Sequence, residues 1–217
     1  MTDFATRRRV MVDTQVRPSD VTKFPIIDAM LAVPRELFVP DAQREAAYAD
    51  DQVRLGAGRV MPEPRTLAKM LDGLNISGDE LVLDIAAGLG YSTAVAARMA
   101  QLVVAVEEEP GLAEEAQSIL MDTGVDNAVV HQGPLAEGAP EHGPYDAIMI
   151  QGGVEQVPPS LTDQLKDGGR IICLFMENGL GSVRIGHKSG DRLTWRFEFN
   201  AGAPVLPGFE KARDFAL

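Results

Sequence analysis

The fold is decided by the stretch LVLDIAAGLGYST, residues 81–93, in which a short apolar run leads into a glycine-rich turn and then into a helical pattern. The run predicts a buried strand, and the alanine-rich residues 92–99 predict a helix. Ligands of open α/β sheets bind beyond the carboxyl ends of the strands, where glycines let the backbone approach them closely. The turn is therefore a candidate cofactor loop.

Outward from this stretch, short apolar runs alternate with helical patterns. Further strands are predicted at residues 102–106, 128–130, 145–150 and 170–175. One helix between them has Pro110 near its start and Gly124 just past its end, and another, near residues 160–166, is stopped by Gly168 and Gly169. Fully apolar strands separated by helices indicate a parallel sheet that is covered on both faces.

The two ends of the chain do not show this alternation of apolar runs and helical patterns. Residues 183–187 and 193–199 flank Lys188-Ser189-Gly190-Asp191, which predicts an antiparallel hairpin that finishes the sheet. The first part of the chain shows helical spacing of apolar residues followed by prolines. We therefore expect an α/β core over residues 76–217. A cap of helices and loops, residues 1–75, should pack over the carboxyl ends of its strands.

The second predicted strand ends in a carboxylate, Glu107, which can accept hydrogen bonds from both ribose hydroxyls of an adenosine. The glycine turn has the spacing acid-x-small-x-Gly-x-Gly and lacks the third glycine of a dinucleotide fingerprint, which would fall on Thr93. This pattern favours S-adenosylmethionine. The predicted cofactor residues here are Asp84, Ala86, Ala87, Gly88, Gly90, Tyr91, Glu107 and Glu108. The alternative is a tight structural turn beside a solvated acidic helix start.

The composition indicates the cellular compartment and limits the classes of partner that the protein can have. The single cysteine, Cys173, lies in an apolar run and is interpreted as a small buried side chain, with a nucleophile as the alternative. One thiol cannot build a disulfide framework, which favours a reducing compartment. No segment has the roughly 20 consecutive apolar residues of a membrane helix, and no signal-peptide pattern follows the arginines at positions 7–9. We expect a cytoplasmic protein without a membrane partner.

The charge and the histidines exclude two further classes of function. A formal net charge of -12 opposes binding to a nucleic-acid backbone, whose affinity for proteins comes mainly from clustered Lys and Arg. His131, His142 and His187 lie on separate segments without helical pairing such as H-E-x-x-H. No metal site is predicted.

Beyond these patterns, the sequence resembles protein-L-isoaspartate O-methyltransferases over most of its length. The matching motifs, in that family's order, are residues 28–30, 33–40, 47–50, 55–58 and 82–93, Glu107 with Pro110, and residues 144–148 and 164–170. The resemblance implies a Rossmann-like, S-adenosylmethionine-dependent methyltransferase core behind a helical cap. The implied reaction is methyl transfer to the α-carboxylate of isoaspartyl residues, which starts protein repair, so the implied partner is a protein or peptide carboxylate.

Three departures from the family's motifs lie around the implied cleft. The family's Gln-Thr-Ile-Ser becomes residues 59–62, Arg-Val-Met-Pro, which puts Pro62 where the family has a hydroxyl thought to assist methyl transfer. The family's Gly-Asp-Gly, whose Asp lies near the adenine, becomes Gly133-Pro134-Leu135, and by this resemblance Pro134 and Leu135 join the cofactor set. The family's Thr-Ala-Ala becomes Gln151-Gly152-Gly153, which changes the wall beside the methyl group.

The catalytic group therefore stays open at this point. The candidates are Arg59, whose guanidinium could bind an acceptor carboxylate, and Thr66, which would supply the hydroxyl if the loop aligns differently. A simpler role for Arg54, Arg59 and Arg65 is pairing with the acidic residues Asp50, Asp51 and Glu63. Two functions remain, an active carboxyl methyltransferase and a family member that binds the cofactor or its demethylated product without turnover.

Overall fold

The computed structural model describes residues 3–56 and 58–211. Its helices are α1 (Phe4–Met11), α2 (Phe24–Ala32), α3 (Pro64–Leu74), α4 (Tyr91–Ala97), α5 (Pro110–Asp122) and α6 (Pro159–Thr162). Its strands are β1 (Val53–Gly56), β2 (Arg59–Met61), β3 (Leu81–Ile85), β4 (Leu102–Glu107), β5 (Ala128–Gln132), β6 (Tyr145–Val154), β7 (Leu165–Glu177), β8 (Leu180–Ser189) and β9 (Arg192–Asn200). Short π-helical and 3-10 segments connect the elements of the first 46 residues.

Seven strands form the main sheet in the order β5-β4-β3-β6-β7-β8-β9, and β1 and β2 form a separate two-stranded sheet. The pairs from β5 to β7 are parallel, whereas β8 and β9 are antiparallel to their neighbours. The predicted parallel sheet with a closing antiparallel hairpin is confirmed. Because β3 and β4 are parallel neighbours, the glycine turn after β3 and Glu107 at the end of β4 meet at one edge of the sheet.

Two local predictions were wrong. The helix expected near residues 160–166 is only the single turn α6, because Leu165 already pairs with Tyr145 as the start of β7. Lys166 anchors this early start by donating to both carboxylate oxygens of Asp146, at 2.8 and 2.7 Å.

Polar and apolar side chains alternate in the sequence of residues 194–199, which predicts one apolar face for β9, but the alternation breaks in the structure because Val183 pairs with Phe199 and Arg184 with Phe197. The unpaired residue between them is a β-bulge, and Phe197 lies 56% exposed.

The N-terminal segment shares its core with the sheet. Val12, Met30 and Phe38 belong to the same apolar cluster as Val82 and Ile172, and all five are buried. The predicted boundary near residue 75 coincides with the end of α3, where Asn75 takes a left-handed conformation with φ 49°. A division into cap and core at this residue stays a prediction, and residues 1 and 2 of the predicted cap lie outside the described residues.

Candidate cofactor site

The turn after β3 has the backbone of a ligand-binding loop. Ala86, Gly88 and Gly90 have positive φ values of 65°, 59° and 90°. The amides of Ala86 and Ala87 donate to the carbonyl of Val106 on β4, at 2.9 and 3.3 Å. The turn is therefore fixed against the neighbouring strand, and α4 begins directly after it at Tyr91.

Asp84, at the base of the turn, is fully buried and bonded on both oxygens. Its Oδ2 accepts from Ser92 Oγ at 2.6 Å and Thr93 Oγ1 at 2.7 Å, and its Oδ1 accepts from Gln151 Nε2 at 3.0 Å. Burial raises the pKa of Asp84 to about 6, while these hydrogen bonds oppose the shift. In this structure the carboxylate positions the turn and the start of α4. Gln151, which we did not predict as a site residue, completes this network.

Glu107 lies where it was predicted, at the end of β4, but its carboxylate is fully engaged by the protein. Arg59 on β2 donates Nη1 to Oε1 and Nη2 to Oε2, both at 2.9 Å. Oε2 also accepts from the amide of Gly88 at 2.8 Å, and Oε1 accepts from the amides of Glu108 and Glu109 at 3.0 and 3.1 Å. Both side chains of the ion pair are buried, with 4% and 0% exposure.

The β1–β2 hairpin lies directly over the glycine turn. A Cβ atom at Gly88 would collide with Cδ1 of Leu55. The hairpin and the turn enclose a cavity of only about 10 Å³. Its walls are Leu55, Val60, Met61, Pro62, Leu67, Ala86, Ala87, Leu89, Tyr91, Ser92 and Gln151. Pro62 thus faces the turn, whereas Ala57, at the tip of the hairpin, lies outside the described residues.

The two candidates for a catalytic group, Arg59 and Thr66, have different surroundings, and those of Arg59 are the ion pair with Glu107. Thr66 Oγ1 donates to Glu63 Oε2 at 2.9 Å, and Thr66 borders a separate surface pocket next to Lys69. It is therefore not next to Pro62 in the wall of the cavity. Of the other arginines on this loop, Arg65 lies 3.9 Å from Asp50, as the simpler interpretation expected.

The segment preceding the hairpin explains part of the sequence signature at residues 33–40. Arg35 is fully buried and donates from Nη2 to the carbonyl of Pro62 at 2.8 Å and from Nε to the carbonyl of Ala47 at 2.8 Å. Its guanidinium also lies 4.7 Å from the ring centre of Tyr91. The signature arginine therefore holds the loop that carries Pro62.

The remaining predicted cofactor residues fall into two groups. Tyr91 and Leu135 are buried in apolar clusters, and Leu135 belongs to the same cluster as Ile85. Pro134 and the side chain of Glu108 are exposed. Within this structure Glu108 reaches Glu107 through its backbone amide alone.

The structure also places three other residues that the sequence analysis named, namely Cys173, His131 and His142. Cys173 is fully buried and burial raises its pKa, as expected for a small core side chain. The structure brings His131 and His142 together with Glu141, with one potential ligand atom of each within 4.8 Å of the others, although their segments are separate in sequence. His131 Nδ1 pairs with Glu141 Oε1 at 3.0 Å. The absence of a metal site stays a prediction.

The comparisons with known proteins agree with this geometry. The sequence model of the family "Protein-L-isoaspartate(D-aspartate) O-methyltransferase" matches residues 7–195. Protein-L-isoaspartate O-methyltransferase 1 of Rhodopseudomonas palustris is 39% identical over 171 residues, which cover 79% of this chain and 70% of that protein. The corresponding enzyme of Roseiflexus castenholzii is 35% identical over 170 residues and 78% of each chain.

This chain belongs to the protein-L-isoaspartate O-methyltransferase family. A solved structure named protein-L-isoaspartate O-methyltransferase superimposes with a TM-score of 0.81 at 25% identity, over 93% of this chain and 66% of that one. A Plasmodium falciparum chain, described as a β-aspartate methyltransferase in complex with S-adenosyl-L-homocysteine, gives a TM-score of 0.79 at 19% identity, over 95% of this chain and 99% of that one. The latter likeness concerns the fold.

Members of this family are S-adenosylmethionine-dependent methyltransferases, and the residues of the core fit that cofactor in their chemistry. A buried carboxylate at the end of β4 suits a ribose, and the left-handed turn places glycine backbone, which a ligand can approach closely, at the adjacent strand end. In this chain, however, Arg59 of the hairpin occupies the carboxylate of Glu107, and Leu55 of the hairpin covers Gly88. Among the described residues, no helix combines the length and apolar character needed to cross a bilayer.

Proposed function

We propose that this chain transfers a methyl group from S-adenosylmethionine to a carboxylate of a protein or peptide, with isoaspartyl residues as the acceptor class to test first. The observation that carries the proposal is the position of Glu107, buried at the carboxyl end of β4 beside the turn of residues 86–90. The family match over residues 7–195 supports the same reaction. The proposed compartment is the cytoplasm, in keeping with a single buried cysteine.

The cofactor, when bound, supplies an activated methyl group on a sulfonium. The protein's part is then to hold it and to align the acceptor oxygen with it. Glu107 would accept from the ribose hydroxyls, and Gly88 and Gly90 would let the backbone of the turn lie close to the rest of the molecule. Asp84 would act by keeping the turn in place through Ser92 and Thr93.

The acceptor side of the proposed site is unusual because Pro62 has neither a hydroxyl nor an amide donor. It contributes a fixed apolar wall, and its carbonyl is already bonded to Arg35. A carboxylate acceptor is an anion before the reaction, so it needs orientation more than activation. Besides Arg35, a second cationic group, Arg59, lies three residues before Pro62 and can bind a carboxylate with two parallel hydrogen bonds when it is released from Glu107.

A methyl-transfer assay tests the proposal directly. The full chain is incubated with methyl-labelled S-adenosylmethionine and either an isoaspartyl peptide or the same peptide with ordinary aspartate. We expect label in a base-labile ester of the isoaspartyl peptide, and a large loss of it in Glu107→Ala. Equal labelling of both peptides would instead identify another carboxylate as acceptor.

Pro62 and the small cavity favour a second candidate function, a protein that holds the cofactor or its product without turnover. Calorimetry with S-adenosyl-L-homocysteine separates the two. Saturable binding that Glu107→Ala weakens by about 1–3 kcal/mol, together with no ester on any carboxylate peptide, would support the second candidate. Absence of binding at millimolar ligand would contradict both.

A further inference from the structure

The carboxylate of Glu107 has no hydrogen-bonding capacity left in this structure. A carboxylate offers about four acceptor positions. Five donors contact the two oxygens of Glu107, namely two guanidinium nitrogens of Arg59 and the amides of Gly88, Glu108 and Glu109. The three amides belong to the turn and to the end of β4, and they leave the outer side of the carboxylate to Arg59. A ribose that hydrogen-bonds to Glu107 would therefore have to replace the guanidinium of Arg59.

The ion pair between Arg59 and Glu107 is also strong, because it is bidentate and buried. Its geometry is bidentate, both distances are 2.9 Å, and the two side chains are 4% and 0% exposed. Charge-assisted bonds of this kind are about twice as strong as neutral ones, and burial shields them from water and salt. Arg59 Nε is buried without a partner among the described atoms, so its stabilisation comes from Glu107.

The space between the hairpin and the glycine turn leads to the same conclusion. Sites for cofactor-sized ligands have volumes of about 300–1,000 Å³. The cavity between the hairpin and the turn measures about 10 Å³, which is about enough for one water molecule. Leu55 covers Gly88, the residue whose missing side chain would otherwise leave room for a ligand.

In the part of the chain that the structure describes, the hairpin is held to the rest of the molecule by side chains, with Val53 and Met61 buried in the apolar cluster, and not by strand pairing with the main sheet. β1 and β2 pair with each other and form no ladder with the seven-stranded sheet in the described residues. Gly56 and Gly58, which flank the tip, have φ values of 99° and 75°, and a Cβ atom on either would meet nothing within 4 Å. Movement of the hairpin therefore breaks the contacts of Arg59 and Leu55 without breaking a strand pairing of the main sheet.

We infer that Arg59 competes with the cofactor for the carboxylate of Glu107. Arg59 thereby sets the affinity of the protein for the cofactor, because it occupies the ribose-binding side of Glu107 and holds the β1–β2 hairpin in the cleft. This inference rests on the proposed cofactor site. If only the fraction of molecules with Arg59 released binds the ligand, the apparent dissociation constant is the intrinsic one divided by that fraction. Weakening the ion pair should then tighten binding.

The sign of this effect separates it from a structural role for Arg59. If Arg59 merely supported the fold of the site, its replacement would weaken binding. The matched variants are Arg59→Gln, which restores the residue usual in the family, Arg59→Lys, which keeps the charge but not the bidentate geometry, and Arg54→Gln. Arg54 lies on the same hairpin and is exposed, with no ion pair among the described residues.

The experiment is calorimetry with S-adenosyl-L-homocysteine on the full chain and these three variants, with circular dichroism to check folding. We expect Arg59→Gln to bind at least tenfold more tightly than the wild type, Arg59→Lys severalfold more tightly, and Arg54→Gln within twofold of the wild type. If Arg59→Gln does not fold, Arg59→Lys decides alone.

Three outcomes would count against the inference. Equal or weaker binding by the folded Arg59 variants overturns it and leaves the proposed cofactor site standing. A gain by Arg54→Gln as large as that of Arg59→Gln also overturns it, because it would show a general effect of removing charge. No binding by any of the four proteins overturns the proposed function together with this inference.

Discussion

Gly153, near the end of β6, donates its amide to the carbonyl of Pro204 at 2.8 Å, and its own carbonyl accepts from the amide of Leu206 at 2.9 Å. The segment that follows β9 thus lies against the strand that carries Gln151. A Cβ atom at Gly153 would lie 2.7 Å from the carbonyl oxygen of Ala203. The departure from the family's Thr-Ala-Ala at this place therefore makes room for backbone.

We expect Gly153→Ala to destabilise the protein, although alanine is the family's residue there. The new methyl group meets backbone oxygens that cannot rotate away, and overpacking of this kind costs about 1–3 kcal/mol. Urea denaturation measures the loss, with Gly202→Ala as control because its Cβ would meet nothing within 4 Å. Equal midpoints for the two variants would contradict the packing explanation.

Asp84 should make stability depend on pH in a defined window. Its pKa is about 6 in the folded protein and 3.8 in its ordinary state, so between about pH 4 and 6 the folded protein keeps a proton that the unfolded chain has released. The contribution of Asp84 to the free energy of unfolding therefore falls as pH rises through this window, by about 3 kcal/mol in all.

Asp84→Asn removes this titration. The free energy of unfolding of the variant minus that of the wild type should increase between pH 4 and 6 and then level off. Thermal or urea denaturation at half-unit pH steps gives this difference, in which the other titrating groups largely cancel. A difference that is flat across the window would show that Asp84 ionises normally in the folded protein.

Replacing Glu107 and replacing Arg59, the two partners of the buried ion pair, should lower the free energy of unfolding by different amounts. Glu107→Gln leaves Arg59 charged and without another side-chain or carbonyl partner among the described residues, which costs about 3–5 kcal/mol. Arg59→Met leaves Glu107 with three amide donors, so we expect a smaller loss of about 1–3 kcal/mol.

Urea denaturation of both variants and of the double variant tests this asymmetry. Arg65→Met is the control, because its 3.9 Å pair with Asp50 is half exposed and should contribute less than about 1 kcal/mol. The double variant should be more stable than Glu107→Gln alone. The opposite order of the two single variants would show that Arg59 finds another partner.

Pro62→Ser should raise methyl transfer to isoaspartyl peptides. A hydroxyl at this place in the cavity wall could donate to the acceptor, and a donor of that kind contributes about 2–4 kcal/mol to a transition state, or about 30-fold or more in rate. Labelled methyl incorporated per minute is the measurement. A wild-type rate that serine does not increase would show that hydroxyl assistance is unnecessary in this chain.

Thr66→Ala is the matched variant for this prediction. Its hydroxyl donates to Glu63 and lies outside the cavity that Pro62 lines, so the rate should not change. A large loss of activity in Thr66→Ala would instead identify Thr66 as the residue that replaces the family's hydroxyl.

The sequence by itself predicted the succession of strands along the chain, and it placed a glycine turn and a carboxylate at the ends of two consecutive strands. A buried strand, a glycine turn and a helix are local patterns, and a carboxylate at the end of the next parallel strand must lie beside that turn. The prediction of residues 81–85 as a strand and of Glu107 at a strand end needed only this local information. The prediction that Pro62 replaces the family's hydroxyl came from the resemblance to the family's loop motif, and Thr66 stays the alternative.

Only the tertiary structure decided which groups these residues contact. Arg59 and Glu107 are 48 positions apart, and a guanidinium on an acidic chain has many carboxylates to choose from. The sequence offered Asp50, Asp51 and Glu63 because they are near along the chain. The hairpin instead carries Arg59 to Glu107, which is buried and already surrounded by amides, and where a bidentate pair is shielded from water. Likewise β7 begins at Leu165 because pairing with Tyr145 outweighs a weak helical pattern.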